Sequence, residues 1–441
     1  MTLLRDRLGI KPLYYLQTPD GVLFGSEPKA ILANQLAERT VDLDGLRRLM
    51  GFSANTGNSV FKGMQEVPPA HIVKINRQGI TELRYWALDD HEHTDDLDAT
   101  IATVRELLED TAQRQLIADV PLCTLLSGGL DSSALTALSA KQLNATTGEG
   151  VRSFSVDFAG YEEEFKADEF RPTPDGPYII DVAEHLKAQY PKASHTNLVL
   201  NNEELMDPAA RSAVLTARDF PGMGDMDTSL YLLFKAVRQH STVALSGESA
   251  DEVFGGYKEF HDPVAREAGT FPWITGIAAS AFGGGADNNG VMNPAFAAKL
   301  DLPGYVQSQY HQALAEVPRR AGETGLEARM REVSYLYLTK FLPILLDRKD
   351  RMSMAVGLEV RVPFCDHRLV QYVYGTPWAM TIFDGREKSL LRHATKDLLP
   401  QSVVERVKSS YPSTQDPGRT KHCSTRSVRS WTAVTARCWI L

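Results

Sequence analysis

Residues 125–135 read LLSGGLDSSAL, placing Ser127, Gly128, Gly129, Asp131, Ser132 and Ser133 within seven positions. The glycines strip side chains from a turn, so backbone amides can approach a ligand closely. The apolar run PLCTLL (121–126) predicts a strand before the turn, and SSALTALSAKQ (132–142) predicts a helix after it. Unpaired helix N–H groups and the positive end of the helix dipole then face the turn, which is the chemistry of an anion site. The serines add hydroxyl donors. No lysine follows in Walker-loop spacing, so this is not the Walker loop. Asp131 would be repelled by phosphate unless a magnesium ion lay between them. The same pattern also describes an ordinary Ser/Gly turn with a helix N-cap.

A second stretch, LSGESADEVFGGY (245–257), repeats the arrangement: a strand, a Ser246-Gly247 turn, then acidic residues opening a helix. In an open α/β sheet, ligands sit beyond the carboxyl ends of the strands. Two such edges, one bearing Asp131 and the other Glu248, Asp251 and Glu252, could share one magnesium-nucleotide. Acidic residues in a first helical turn also follow from the helix dipole alone.

The elements that must position these residues fall into two textures. In the first ~85 residues, strand-like runs flank Thr18-Pro19-Asp20-Gly21 and Asn76-Arg77-Gln78-Gly79, which predicts two hairpins. A polar stretch, DHEHTDDLD (90–98), reads as a linker, and helical spacing of Ile101, Val104, Leu107, Leu108 and Leu116 predicts a helix from 98 to about 116. Beyond it strands at 121–126, 152–158, 195–200 and 242–247 alternate with helices around 178–189 and 229–239, implying a parallel sheet buried on both faces. AFGGGADNNG (281–290) reads as a flexible insertion. Residues 418–441 have no acidic side chain and no period, and read as an unpatterned tail.

The net charge of -9 over 441 residues argues against a nucleic-acid or membrane-surface role. The four cysteines, Cys123, Cys365, Cys423 and Cys438, show no CxxC spacing, which disfavours a disulfide framework or zinc site and suits a reducing cytoplasm. MTLLRDRLGI lacks the apolar core of a signal peptide, and no apolar run reaches the ~18 residues that span a bilayer.

LLSGGLDSS resembles the pyrophosphate-binding loop of the PP-loop ATPases. Together with LSGESADEVFGGY, DRKDRMSMAVGLEVRVPFCDHRLV (347–370) and EKSLLRHATKDLLPQSVVERVKSSYP (387–412), it resembles the glutamine-hydrolysing asparagine synthetases. RDRLGIKPLYY and FGSEPKAIL are similar to the closing part of that family's glutaminase domain. The resemblance implies an α/β fold: a parallel-sheet PP-loop (adenine nucleotide α-hydrolase-like) synthetase domain at 98–417. Before it would come a remnant of an αββα amino-terminal-nucleophile glutaminase domain at 1–88 and a linker at 89–97. It implies ATP and Mg2+, with aspartate and ammonia as partners (glutamine in the intact family), neither nucleic acid nor membrane, a cytoplasmic location, and a homodimer as the candidate assembly.

Carried over residue by residue, Ser127, Gly128, Gly129, Asp131, Ser132 and Ser133 would hold pyrophosphate, and Leu126 and Val156 would line the nucleoside pocket. Ser246 and Gly247 would contact the nucleotide, Glu248 would support the aspartyl-adenylate step, and Asp131 and Asp251 would bind magnesium. Lys408, in the late Arg406-Val407-Lys408 motif, would neutralise charge growing on the phosphates. The family's nucleophilic cysteine lies upstream of the segment resembling RDRLGIKPLYY. This chain begins at Met1, almost inside that motif, so the expectation is ammonia-dependent synthesis without glutamine hydrolysis. Alternatives are a β-lactam-synthetase-like ligase acting on another carboxylate and a non-catalytic remnant that binds ATP. Arg361, Glu359 and Asp366 read as a buried ion network, Met352 and Met354 as core packing, Lys258 as solvated, and Cys123 and Cys365 as buried and inert.

Overall fold

The computed structural model describes residues 1–53, 57–159, 165, 167, 172–222, 225–275 and 293–409. The expected insertion at 281–290 and tail at 418–441 lie outside the described residues.

Among the described residues, seven strands occupy the first part: β1 (Thr2–Leu4), β2 (Tyr14–Thr18), β3 (Gly21–Gly25), β4 (Gly57–Asn58), β5 (Met64–Glu66), β6 (His71–Asn76) and β7 (Gly79–Arg84). They form two antiparallel sheets, ordered β1-β6-β7 and β3-β2-β5-β4. Both predicted hairpins form with two-residue turns, Thr18 pairing Gly21 and Asn76 pairing Gly79. Alternation along the strands builds two cores. Leu3 and Val73 from one sheet meet Tyr15 from the other, whereas Tyr14 and Met64 turn the opposite way and pack under Ile31 of the helix Pro28–Leu32. Thr2 is a paired strand residue opposite Lys74.

The second part is built on five parallel strands: β8 (Leu122–Leu125), β9 (Arg152–Phe158), β10 (Ser194–Leu200), β11 (Val243–Leu245) and β12 (Glu359–Arg361). Their order is β10-β9-β8-β11-β12. After β8 the chain adds β9 and β10 on one side, then returns to add β11 and β12 on the other. The reversal lies between β8 and β11, paired Leu122 to Val243, and opens a crevice at their carboxyl ends. Cys123, Ala244 and Val360 face a core shared with Leu233 and Phe234 of the helix Asp225–Arg238. Val243 and Leu245 face the other, with Val104 and Leu108 of the helix Leu97–Gln115 and Leu135 and Leu138 of the helix Leu130–Thr146. Burying each such large aliphatic side chain contributes roughly 1.5–3 kcal/mol.

The helix Leu342–Met354 joins the two parts. Lys11 meets Asp350 at 2.6 Å, and fully buried Arg351 donates to Asp219 at 2.8 Å and Asp347 at 3.1 Å. The Arg351 guanidinium also donates to Tyr14 Oη at 3.2 Å and lies 5.4 Å from the centre of the Tyr14 ring.

Some single-residue expectations need correction. Met352 is fully buried, but Met354 is 45% exposed because it ends its helix on the solvent side. Arg361 pairs with half-exposed Glu359 at 2.9 Å and donates to the carbonyls of Gln115 and Ile117, whereas Asp366 pairs with Arg368 at 2.8 Å. Arg361 and Glu359 thus form one partly solvated pair, while Asp366 belongs to a separate chain of ion pairs running through Arg368 to Asp110 and Arg114, since a strand and the following helix cap aim them apart. Lys258 is exposed, and Cys123 and Cys365 are buried free thiols. Burial pushes the Cys123 thiol up to about 11.

Replacing Arg351 by methionine keeps much of its stem but leaves the Asp219 and Asp347 carboxylates with weaker partners. Urea unfolding is expected to show a loss of about 3 kcal/mol; a loss under about 1 kcal/mol would mean that the pair adds little to the join between the two parts.

Candidate active site

Gly128 adopts φ +69°, and a Cβ there would fall 2.9 Å from Tyr178 Cβ, so only glycine fits this turn. The loop folds on itself through Ser132, whose Oγ accepts from Ser127 N–H at 3.1 Å and donates to Gly129 O at 3.2 Å. Across the crevice, a Cβ on Gly247 would lie 2.9 Å from Ser132 N; the two loops touch there. Ser249 follows at φ +81°, a left-handed conformation that costs a non-glycine residue on the order of 1–2 kcal/mol. It starts the helix Ala250–Phe254, which carries Asp251 and Glu252.

Between the loops lies a cleft of roughly 240 Å³. Of the residues expected from sequence, Leu126, Ser127, Gly129, Asp131, Ser132, Val156, Ser246, Gly247, Glu248, Asp251 and Lys408 line it. Gly128 and Ser133 do not. Gly128 shapes the turn from behind, and Ser133 is fully buried, its hydroxyl without a hydrogen-bond partner among the described residues.

Three lysines organise the charges. Lys388 Nζ donates to both Asp131 oxygens at 2.8 and 2.7 Å and to Asp251 Oδ1 at 2.8 Å. Lys408 Nζ pairs with the other Asp251 oxygen, and Lys349 meets Glu248 Oε2 at 2.6 Å. Burial pushes the Asp251 carboxyl up, but Lys388 and Lys408 together outweigh it and hold the group well below the usual carboxylate range. Asp131 is pushed up by burial, opposed by Lys388 and reinforced by the Asp251 charge, and ends above that range. Burial disfavours the Lys388 ammonium, but the two aspartates more than restore it.

Asp131 and Asp251 thus converge on a single cationic point. Two carboxylates of this kind, completed by substrate phosphates and water, suit magnesium. No group of three or more His, Cys, Asp or Glu is placed to hold a metal among the described residues.

The segment bearing Lys408 is pinned over the cleft. Arg392 donates to the carbonyls of Val404 and Arg406, Arg406 pairs with Asp175 at 2.5 Å, and its guanidinium lies 4.0 Å from the Tyr178 ring centre. Lys408 N–H donates to Glu387 at 3.2 Å.

Residues 103–436 of this chain match the family described as asparagine synthase, and residues 1–86 match the glutamine amidotransferase domain. The chain belongs to the asparagine synthase family. The family match runs past residue 417, into the stretch read from sequence as unpatterned. The chain is 40% identical to asparagine synthetase [glutamine-hydrolyzing] 3 of Bacillus subtilis (strain 168), over 97% of this chain and 67% of that protein. It is 26% identical to asparagine synthetase [glutamine-hydrolyzing] 1 of the same organism, over 92% and 65%. Amidase chyE of Penicillium rubens is also 26% identical, over 92% and 66%. The chain therefore spans about two thirds of the length of these curated relatives. Among solved structures, NMN synthetase from Francisella tularensis matches 38% of this chain and 61% of that chain at 13% identity, with a TM-score of 0.22. No described helix is long and apolar enough to cross a membrane.

Sequence reasoning missed Lys388 and Lys349 in this cleft. Both lie inside quoted motifs, but nothing in their spacing marks them, because their partners lie between about 100 and 257 residues away. Glu252, grouped from sequence with Glu248 and Asp251 at the second edge of a shared magnesium-nucleotide site, is buried and does not line the cleft, because it turns into the core one helical step beyond Asp251. Glu252 accepts from Tyr257 Oη at 2.6 Å through one oxygen, while the other is buried without a partner among the described residues. Burial, with Asp251 and Glu248 nearby, pushes its carboxyl from 4.5 up to about 8.

A carboxyl raised in this way takes up a proton on folding, so its contribution to stability is complete below about pH 4.5 and is lost as pH rises through about 8. Glu252→Gln should gain stability relative to the parent as pH rises across that window, by up to about 5 kcal/mol above it. Urea unfolding at pH 5 and pH 9 reads the difference, and a pH-independent difference would contradict the assignment.

Proposed function

We propose that the cleft binds ATP and activates the side-chain carboxylate of aspartate. That carboxylate oxygen attacks the α-phosphorus, the bond to the β-phosphate bridge breaks, and pyrophosphate leaves. Ammonia then attacks the acyl carbon of the β-aspartyl adenylate, AMP departs with the bonding electrons, and the nitrogen loses a proton to give asparagine. The observation that carries this reading is the meeting of Asp131 and Asp251, from two different loops, on one cation at the switch point of a parallel sheet.

In this reading Ser127, Gly129, Ser132 and the amino end of the helix Leu130–Thr146 hold the pyrophosphate. Gly128 keeps the loop in shape, and Ser133 packs into the core behind it. Leu126 and Val156 flank the nucleoside, and Ser246 and Gly247 contact the nucleotide from the second loop. Lys408 offsets charge growing on the phosphates, and Glu248 supports the adenylation step. Asp131 and Asp251 would hold magnesium, which when bound screens the phosphates and withdraws charge from them.

The domain organisation follows the same lines: an amidotransferase-like part at 1–88, a linker at 89–97 and a synthetase part from 98. Ammonia is the proposed nucleophile at the cleft. Burial raises both described thiols, Cys123 and Cys365, which disfavours their thiolates as nucleophiles there. Two buried free thiols suit a reducing cytoplasm.

Exchange of labelled pyrophosphate into ATP, with and without aspartate, tests the acceptor. Aspartate-dependent exchange is expected, with about a hundredfold loss in Glu248→Gln. Exchange driven by a different carboxylic acid would reassign the acceptor, and ATP binding without exchange would leave a non-catalytic nucleotide-binding protein.

A further inference from the structure

Lys349 belongs to none of the roles assigned so far. It sits on the helix Leu342–Met354, and its neighbours fix that stretch from several sides. Arg348 donates to Asp227 at 2.8 Å, Asp350 meets Lys11 at 2.6 Å, and Arg351 is buried against Tyr14. Lys349 itself is nearly buried, its side chain 11% exposed, and lines the cleft. Its Nζ is 2.6 Å from Ser246 Oγ and 2.6 Å from Glu248 Oε2.

Ser246 Oγ also accepts from the Glu248 backbone N–H at 3.3 Å. A hydroxyl has two lone pairs and one proton, and an ammonium can only donate. With both lone pairs engaged, the remaining Ser246 O–H can only donate, and no acceptor among the described residues takes it. Ser246 itself lines the cleft, so the acceptor available to it is a ligand oxygen.

We propose that Lys349 is a positioning residue with two effects: it turns Ser246 into an obligate donor toward an acceptor oxygen of the nucleotide, and it holds the Glu248 carboxylate at the cleft wall. The proposal rests on the nucleotide half of the functional reading and not on the identity of the acceptor. Lys349 touches no reacting atom; it acts through Ser246 and Glu248.

The test is a binding cycle on the full chain, with ATP titrated calorimetrically in the absence of aspartate. Lys349→Met and Ser246→Ala should each weaken ATP binding about tenfold, and the double variant should be no weaker than the poorer single. Lys349→Gln, whose amide still donates, should recover part of the loss. ATP binding unchanged in Lys349→Met or in Ser246→Ala, or losses that multiply to about a hundredfold in the double variant, would overturn the proposal. Should Lys349→Met not unfold cooperatively, the same cycle with Lys349→Gln gives the same readout on a smaller scale. Aspartate-dependent exchange is read on the same samples. Its absence from the parent, with the ATP cycle behaving as expected, would remove the acceptor assignment and leave the role of Lys349 standing.

Discussion

One ammonium group, that of Lys388, stands between carboxylates from two loops that the chain brings together only by folding. Asp131 follows β8 and Asp251 follows β11, and their separation from Lys388 along the chain is 257 and 137 residues. Two buried carboxylates side by side would repel each other, and desolvation would push both toward the neutral acid. Lys388 resolves the conflict, itself held at φ +56° immediately before the helix Ser389–Thr395. Sheet order, loop shape and charge therefore meet at one point. The parallel register sets β8 beside β11, Gly247 lets the loops touch, and the lysine makes their charges compatible.

The same site is tied to the first part of the chain. Along the helix Leu342–Met354, four consecutive side chains point to four destinations: Arg348 to Asp227, Lys349 to the cleft, Asp350 to Lys11 and Arg351 to Tyr14. A helix turns about 100° per residue, so adjacent positions address different surroundings. That geometry makes one short segment a common wall of the cleft and of the amidotransferase-like part.

How much of this was legible beforehand depended on the range of the interaction. The hairpins at 18–21 and 76–79, the strand at 152–158 and the helix from 97 follow from local periodicity and turn chemistry, and the sequence reading locates them within a residue or two. The two glycine-serine loops were legible for the same reason, since a strand, a turn and a helix start are neighbours in the chain. Lys388 and Lys349 were not, because a lysine's role here depends on carboxylates and a hydroxyl more than 100 residues away. Ser133 shows the opposite failure. It sits in the loop motif, yet one helical step beyond Ser132 turns it into the core, where the hydroxyl faces no ligand surface. Met354 and Asp366 went astray at element ends, where periodicity stops predicting which way a side chain faces.

The central claim is that Lys388 holds the two loops in the geometry that binds the nucleotide. Calorimetric titration of ATP with magnesium into the full chain and into Lys388→Met tests it most directly. The account predicts binding to the parent and a loss of at least about tenfold in a variant that still unfolds cooperatively. Equal affinity in the two proteins would contradict it, and would mean that the loops keep their shape without the bridge.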